Sequence, residues 1–286
     1  MSPPTGTTTP MLTEPFVQRA LLAALLLGPL CALLGVFVIA RRMAFFSDTV
    51  AHSALAGVAL GFWWGFAEPT IPLVGFTLVV AMAMMWLMER TELLTDTILA
   101  LLLSGSVALG VIILSLLHGR NYQAELNRYL FGDILAVGWL DVGLAGGLLT
   151  VVATGLFANL SALTLLAAQP ELAHVCGVPV RRWNYLFVLV LTLTVALSIR
   201  LLGIILVTAL IVIPPAAARS LSRNLRQQII LSLACGLAAG AGGTLAACAL
   251  DLPCGPTIVM ACVAIFVLAV AAGRWRADQA PAAPRA

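Results

Sequence analysis

The 286-residue chain contains no lysine; all fifteen of its basic residues are arginine. Charge of either sign is scarce, at 9% of residues, while 62% are hydrophobic. Soluble domains carry roughly 25% charged residues, so a soluble fold of this make-up could not cover its surface with polar groups. The net charge is only +3, and the arginines sit at the ends of apolar runs, which leaves no clustered patch for nucleic acid. Six cysteines occur without CxxC spacing. Four of them (Cys31, Cys235, Cys248, Cys262) lie inside apolar runs, where a free thiol serves as a small hydrophobe. There is no Walker A phosphate loop, so any ATP chemistry needs another chain, and no HExxH that would mark an intramembrane metalloprotease. The opening stretch MSPPTGTTTPMLTEP lacks a basic n-region and does not read as a cleavable signal peptide.

What the sequence has in abundance is long apolar runs. A run of about 17–25 such residues crosses the hydrocarbon core as a helix. Runs at 16–40, 45–66, 71–88, 96–117, 139–160, 183–199, 201–218, 229–250 and 255–273 predict an all-α polytopic membrane protein with eight or nine spans. The count is open because Arg200 alone divides the sixth run from the seventh. The domain reading is a disordered segment 1–15, a permease domain 16–273 and a disordered Ala/Pro-rich tail 274–286. With nine crossings and an outside N-terminus, eleven arginines fall on one side of the membrane and four on the other. That asymmetry makes the richer side, the C-terminus and the 214–228 loop cytoplasmic.

An ionisable side chain inside a membrane helix is costly and marks a functional hypothesis. The foremost pair is Asp48 and His52 in SDTVAHSALAGVALG, where a spacing of four places both on one helix face. A carboxylate and a neutral imidazole there suit a divalent cation. A structural hydrogen bond that ties helices together accounts for the same spacing. Asp96 opens the fourth run and fits a helix-start carboxylate. Asp133 and Asp251 fall on the outer face, where each either receives a cation or is simply solvated. His118 and His174 lie at span ends and read as solvated.

Pro214-Pro215 interrupts an apolar run, so a kink or a helix end is expected there. A short amphipathic piece with Arg219, Arg223 and Arg226 would follow, fit either to dock on a cytoplasmic partner or simply to anchor the loop inside. Gly236–Gly240 and Gly143–Gly147 have GxxxG spacing, which allows close helix packing.

Four stretches carry a resemblance: GVFVIARRMAFFSDTVAHSALAGVALG, YLFGDILAV, LLGIILVTALIVIPPAAARSLSR and LDLPCGPTIVM. In this order they resemble the permease family of metal-uptake ABC transporters, the zinc and manganese type, from about Phe16 to Gly273. The resemblance implies a homodimeric permease of the bacterial inner membrane. It would be completed by a cytoplasmic ATPase dimer and an extracytoplasmic metal-binding protein. It implies that Asp48 and His52 hold the ion in transit, and that Pro214, Arg219 and Arg223 belong to a segment coupled to the ATPase. Gly177, in PELAHVCGVPV, falls in a second loop typical of such permeases. Ser104 stands where zinc-type members often carry histidine, yet the motif around the pair favours zinc over manganese. No cofactor is expected to stay bound; zinc or manganese is cargo. Two other readings are import of a metal chelate such as a siderophore or cobalamin, and a self-sufficient secondary transporter. The second would want paired broken helices or a relay of intramembrane acids.

Overall fold

The computed structural model describes residues 15–66, 68–117, 129–132, 137–168, 172 and 179–278. The helices in chain order are α1 (Pro15–Ala40), α2 (Ala44–Trp63), α3 (Thr70–Arg90), α4 (Thr95–Leu116), α5 (Trp139–Ala158), α6 (Leu160–Ala168), α7 (Val180–Leu202), α8 (Ile204–Leu221), α9 (Leu225–Leu250) and α10 (Cys254–Asp278). Nine of these, all but the short α6, are long and apolar enough to cross a membrane. The last span runs on to Asp278, past the Gly273 at which the sequence reading ended it.

Helix α1 is the axis of the bundle and its most buried span, whereas α5 is the least buried. On one side α1 packs against α8 and α9, and α10 closes over both. On the other side α2 gathers α3, α4 and α7 around itself, while α5 leans on α1 alone. Small residues make the central contacts possible. A Cβ placed on Gly28 would lie 2.8 Å from the Gly236 carbonyl oxygen, and one on Gly240 3.0 Å from the Ala24 carbonyl oxygen. The Gly236–Gly240 spacing therefore packs α9 on α1, as expected of a GxxxG face. Gly143 and Gly147 on α5 face open space instead.

The uncertain sixth and seventh spans are two helices, and the break is at Gly203 rather than Arg200. Gly203 has φ +80°, a conformation that glycine adopts without steric cost. It lies against Gly132 (φ +73°), so closely that a Cβ on either would overlap the other's backbone. Gly255 approaches the Phe131 carbonyl oxygen at the same place, 2.7 Å from where its Cβ would stand. Three of the four motif stretches thus meet at one junction.

Of the kink or helix end expected at Pro214-Pro215, the end does not occur, since α8 continues through both prolines to Leu221. Pro215 has no N–H to give the Ile211 carbonyl four residues earlier, which normally costs helix stability. Gly35 of α1 sits directly on that carbonyl. Its Cα–H is placed to make the weak contact that partly replaces the missing bond. The short amphipathic piece also proves to be something else: Arg219 ends α8, Arg223 lies in the link, and Arg226 opens α9. Asn224 caps α9 by accepting from the Gln227 N–H at 2.9 Å, and the Gln227 side chain accepts from the Arg223 N–H at 3.1 Å. The basic feature is therefore a braced corner between two spans.

Candidate metal pathway site

Helix α2 is made of small residues because three neighbours press on it. Gly57 meets the Leu73 Cα at a distance that leaves no room for a Cβ, and Gly110 of α4 lies tightly against the Ala56 Cα. Its hydroxyls turn inward: Ser47 donates to the Ala44 carbonyl (3.1 Å), and Ser53 to the Val50 carbonyl (2.7 Å). Thr49 donates to the Phe45 carbonyl (3.0 Å) and lies 3.4 Å from the Leu99 carbonyl of α4. Ser47, Thr49 and Ser53 are all buried. Phe45, Asp48, His52 and Leu55 form a partly uncovered stripe at the three- and four-residue steps of one helix face, and Ala44, Leu60 and Trp63 are uncovered towards the helix ends.

On that stripe the Asp48 side chain is 40% exposed and that of His52 34%. Imidazole Nδ1 lies 3.0 Å from the Asp48 carbonyl oxygen and 3.3 Å from Asp48 Oδ1. Both neighbours are acceptors, so Nδ1 is the protonated nitrogen of the neutral ring. Nε2 therefore keeps its lone pair and points away from the helix's own acceptors. An imidazole held through one nitrogen by a carboxylate, with the other free, is the usual form of a metal-ligating histidine. His52 stands eight residues into α2, or about 12 Å along the helix, close to mid-membrane.

Among the described residues no third His, Cys, Asp or Glu joins the pair. Asp96 is exposed in the first turn of α4. Asp251 is exposed at the C-cap of α9, with φ +53°. Asp133, Gly177, His118 and His174 lie outside the described residues. Pro214 is buried within α8, while Arg219, Arg223 and Arg226 are exposed.

Sequence reasoning passed over a set of contacts at the same end of the bundle as the arginine corner. Arg181 of α7 makes a bidentate pair with Glu89 of α3 (3.0 and 2.8 Å), and the Tyr185 hydroxyl donates to the same carboxylate (3.2 Å). Arg41, just beyond α1, donates to Asn184 Oδ1 (3.0 Å) and stacks 4.3 Å from the Phe187 ring centre. Burial lowers the Arg41 pKa to about 10, which still leaves it charged at neutral pH. Together these contacts lock the start of α7 to the α1–α2 turn. The signal available in sequence was an arginine pair directly abutting an apolar run.

A nine-span helical bundle with one polar pair on a half-open stripe, a braced basic corner and no nucleotide loop defines a membrane transport subunit. The chain belongs to the ABC 3 transport family, whose pattern it matches over residues 13–273. Membership makes it a multi-pass permease of the bacterial inner membrane, a transporter component rather than an enzyme. It is 36% identical over 252 residues to the high-affinity zinc uptake system membrane protein ZnuB of Haemophilus influenzae, covering 88% of this chain and 95% of that one. It is 29% identical to the manganese transport system membrane protein MntC of Halalkalibacterium halodurans, over 91% of this chain and 88% of that one. Its structure superposes on PsaBC from Streptococcus pneumoniae, solved in complex with Fab, with a TM-score of 0.79. That match has 27% identity and covers 91% and 92% of the two chains.

Proposed function

We propose that this chain is the permease of an ATP-driven importer that carries a divalent metal ion into the cytoplasm, zinc in preference to manganese. The carrying observation is the Asp48–His52 pair, with Nδ1 engaged and Nε2 free on a partly uncovered stripe of α2. The zinc and manganese systems named for its relatives support the choice of cargo, and the higher identity lies with the zinc protein. One copy supplies a carboxylate and an imidazole, too few to strip a metal ion of water. A second copy facing the same stripe would supply two of each, a nitrogen and oxygen set suited to zinc. The absence of thiolate from the pair keeps binding moderate, as release on the far side requires.

The arginine excess orients the bundle with the α8–α9 corner in the cytoplasm and the N-terminus outside. An ATPase dimer would dock against Arg219, Arg223 and Arg226 and against the stretch PELAHVCGVPV that contains Gly177. Pro214, buried in α8, would transmit that movement rather than touch the partner. An extracytoplasmic binding protein would deliver the ion at the opposite face, near the residue 131–132, 203 and 255 junction and Asp251.

The test is uptake of zinc, manganese and iron, offered separately to cells carrying the complete transporter. Wild type would be set beside Asp48→Ala and His52→Ala at matched membrane level. Loss of zinc uptake in both variants is expected. Unchanged uptake would reduce the pair to a structural hydrogen bond and move the search to Asp96, Asp133 and Asp251.

A further inference from the structure

Helix α5 leans chiefly on α1 and α7 chiefly on α3 and α2, and the gap between α5 and α7, floored by α1, is a groove. Its outer half is a cavity of about 370 Å³ whose walls include Leu144, Leu148 and Val151 of α5 and Leu197 and Leu201 of α7, with Leu27 of α1 as floor. Its inner half, about 250 Å³, continues from Val151 along Leu156 and Leu186 to Trp183, with Leu34 as floor. Val151 lines both halves, so the groove is continuous. Gly143, Gly147 and Gly155 all border it, and a Cβ on any of them would meet nothing within 4 Å. The glycines therefore keep the groove empty of protein side chains.

The rim at the outer end is charged. Arg200 and Asp141 line it, and Arg200 Nη2 stands 3.5 Å from Glu68 Oε2, a loose and largely exposed pair. Asp141 Oδ2 accepts the Gly138 N–H at 3.1 Å, which holds that carboxylate in place. Just below the rim, the Ser198 hydroxyl is buried against Cys31 of α1. From Asp141 to Val151 is ten helical residues, about 15 Å, or one leaflet of a hydrocarbon core about 30 Å thick.

We propose that the α5–α7 groove is a binding site for one phospholipid with a zwitterionic headgroup. Arg200 takes the phosphate, and Glu68 and Asp141 take the ammonium. One acyl chain fills the outer cavity, and its end passes Val151 into the inner one. An anionic headgroup would satisfy Arg200 but meet two carboxylates; a cationic one would meet the reverse. A second protein copy would need side chains able to enter a slot walled by leucine and valine and topped by charges of both signs.

The test uses the permease purified with its ATPase partner from nanodiscs holding equal parts phosphatidylethanolamine and phosphatidylglycerol, weighed by native mass spectrometry. Wild type should retain one phosphatidylethanolamine per permease copy in preference to phosphatidylglycerol. Gly147→Leu, whose Cβ would meet no protein atom within 4 Å, should lower that retention about tenfold, as expected from displacing two methylenes. Arg200→Ala leaves the groove open but removes the partner of the phosphate, and should lower the retention of both lipids. Equal retention of both lipids by wild type, or undiminished retention by Gly147→Leu, overturns the proposal. Loss of one permease copy from the Gly147→Leu assembly would instead identify the groove as a protein interface and overturn it equally. The Arg200→Ala arm decides the matter if Gly147→Leu fails to assemble. None of these readouts depends on which metal is carried.

Discussion

His52 Nδ1 lies between two oxygens of one residue, the carbonyl and the carboxylate of Asp48, at 3.0 and 3.3 Å. This arrangement assigns different tasks to the two members of the pair. His52 presents Nε2 to the pathway, and Asp48 fixes the ring that presents it. In His52→Gln an amide oxygen reaches close to the Nε2 position; in His52→Asn it reaches only the Nδ1 position. Uptake by His52→Gln should therefore exceed uptake by His52→Asn at equal membrane level. Equal loss in both would show that the ring, rather than its far nitrogen, is what transport needs.

Asp48→Asn keeps the shape of the side chain while removing its charge. The Asp48 bond to the ligating histidine alone is worth about 10- to 100-fold in metal affinity, before any contact of the carboxylate with the ion. The variant should show a rise of that order in the metal concentration giving half-maximal uptake. Its thermal stability in detergent should match wild type.

The α2 stripe should also lie close to its own counterpart in a second copy. In a background with all six cysteines replaced, Leu55→Cys should cross-link two permease chains under a short bifunctional thiol reagent. Leu144→Cys, exposed on α5, should not. The reverse pattern would place the pair on the lipid-facing side and end the two-copy account of the site.

Gly203→Ala should be among the most damaging single-methyl changes in the chain. It combines φ +80° with direct overlap of the Gly132 backbone, and backbone strain of this kind costs about 1–3 kcal/mol. Reduced folded yield and an earlier thermal transition are expected, with little change in metal preference.

Gly35→Ala and Gly75→Ala form a matched contrast within two spans. At Gly35 a methyl group collides with the Ile211 carbonyl, and overpacking costs about 1–3 kcal/mol. At Gly75 it meets nothing, and removing a helical glycine gains about 0.5–1 kcal/mol. Thermal unfolding of the two solubilised variants should shift in opposite directions.

The spans, and the placing of Asp48 and His52 on one helix face, were legible because both are local signals: apolar run length, and a four-residue spacing. The division of the sixth and seventh spans was misplaced because a lone arginine is conspicuous in an apolar run. Gly203, three residues on, is the residue that actually changes the backbone direction. A glycine closing one helix is a recognised stop signal, so that part was available. The survival of α8 through Pro214-Pro215 was not. Local rules count the lost N–H donors of the prolines, and the compensating contact comes from Gly35, about 180 residues earlier in the chain. The arginine corner was misjudged for a related reason, since a helix assumed to end early leaves its last turn to be read as a separate piece.

The close contacts of α1 with α9 are backbone against backbone, with glycine and alanine on both sides, and Gly35 of α1 lies equally close to Ile211 and Pro215 of α8. Knobs seated in holes would have to disengage before two helices could shift. A smooth seam has nothing to unlock, and its weak contacts re-form after a small displacement. An importer has to open first to one side and then to the other. Here α1 is built as an axle, along which the α8–α10 block can slide against the α2–α4 block without unpacking either.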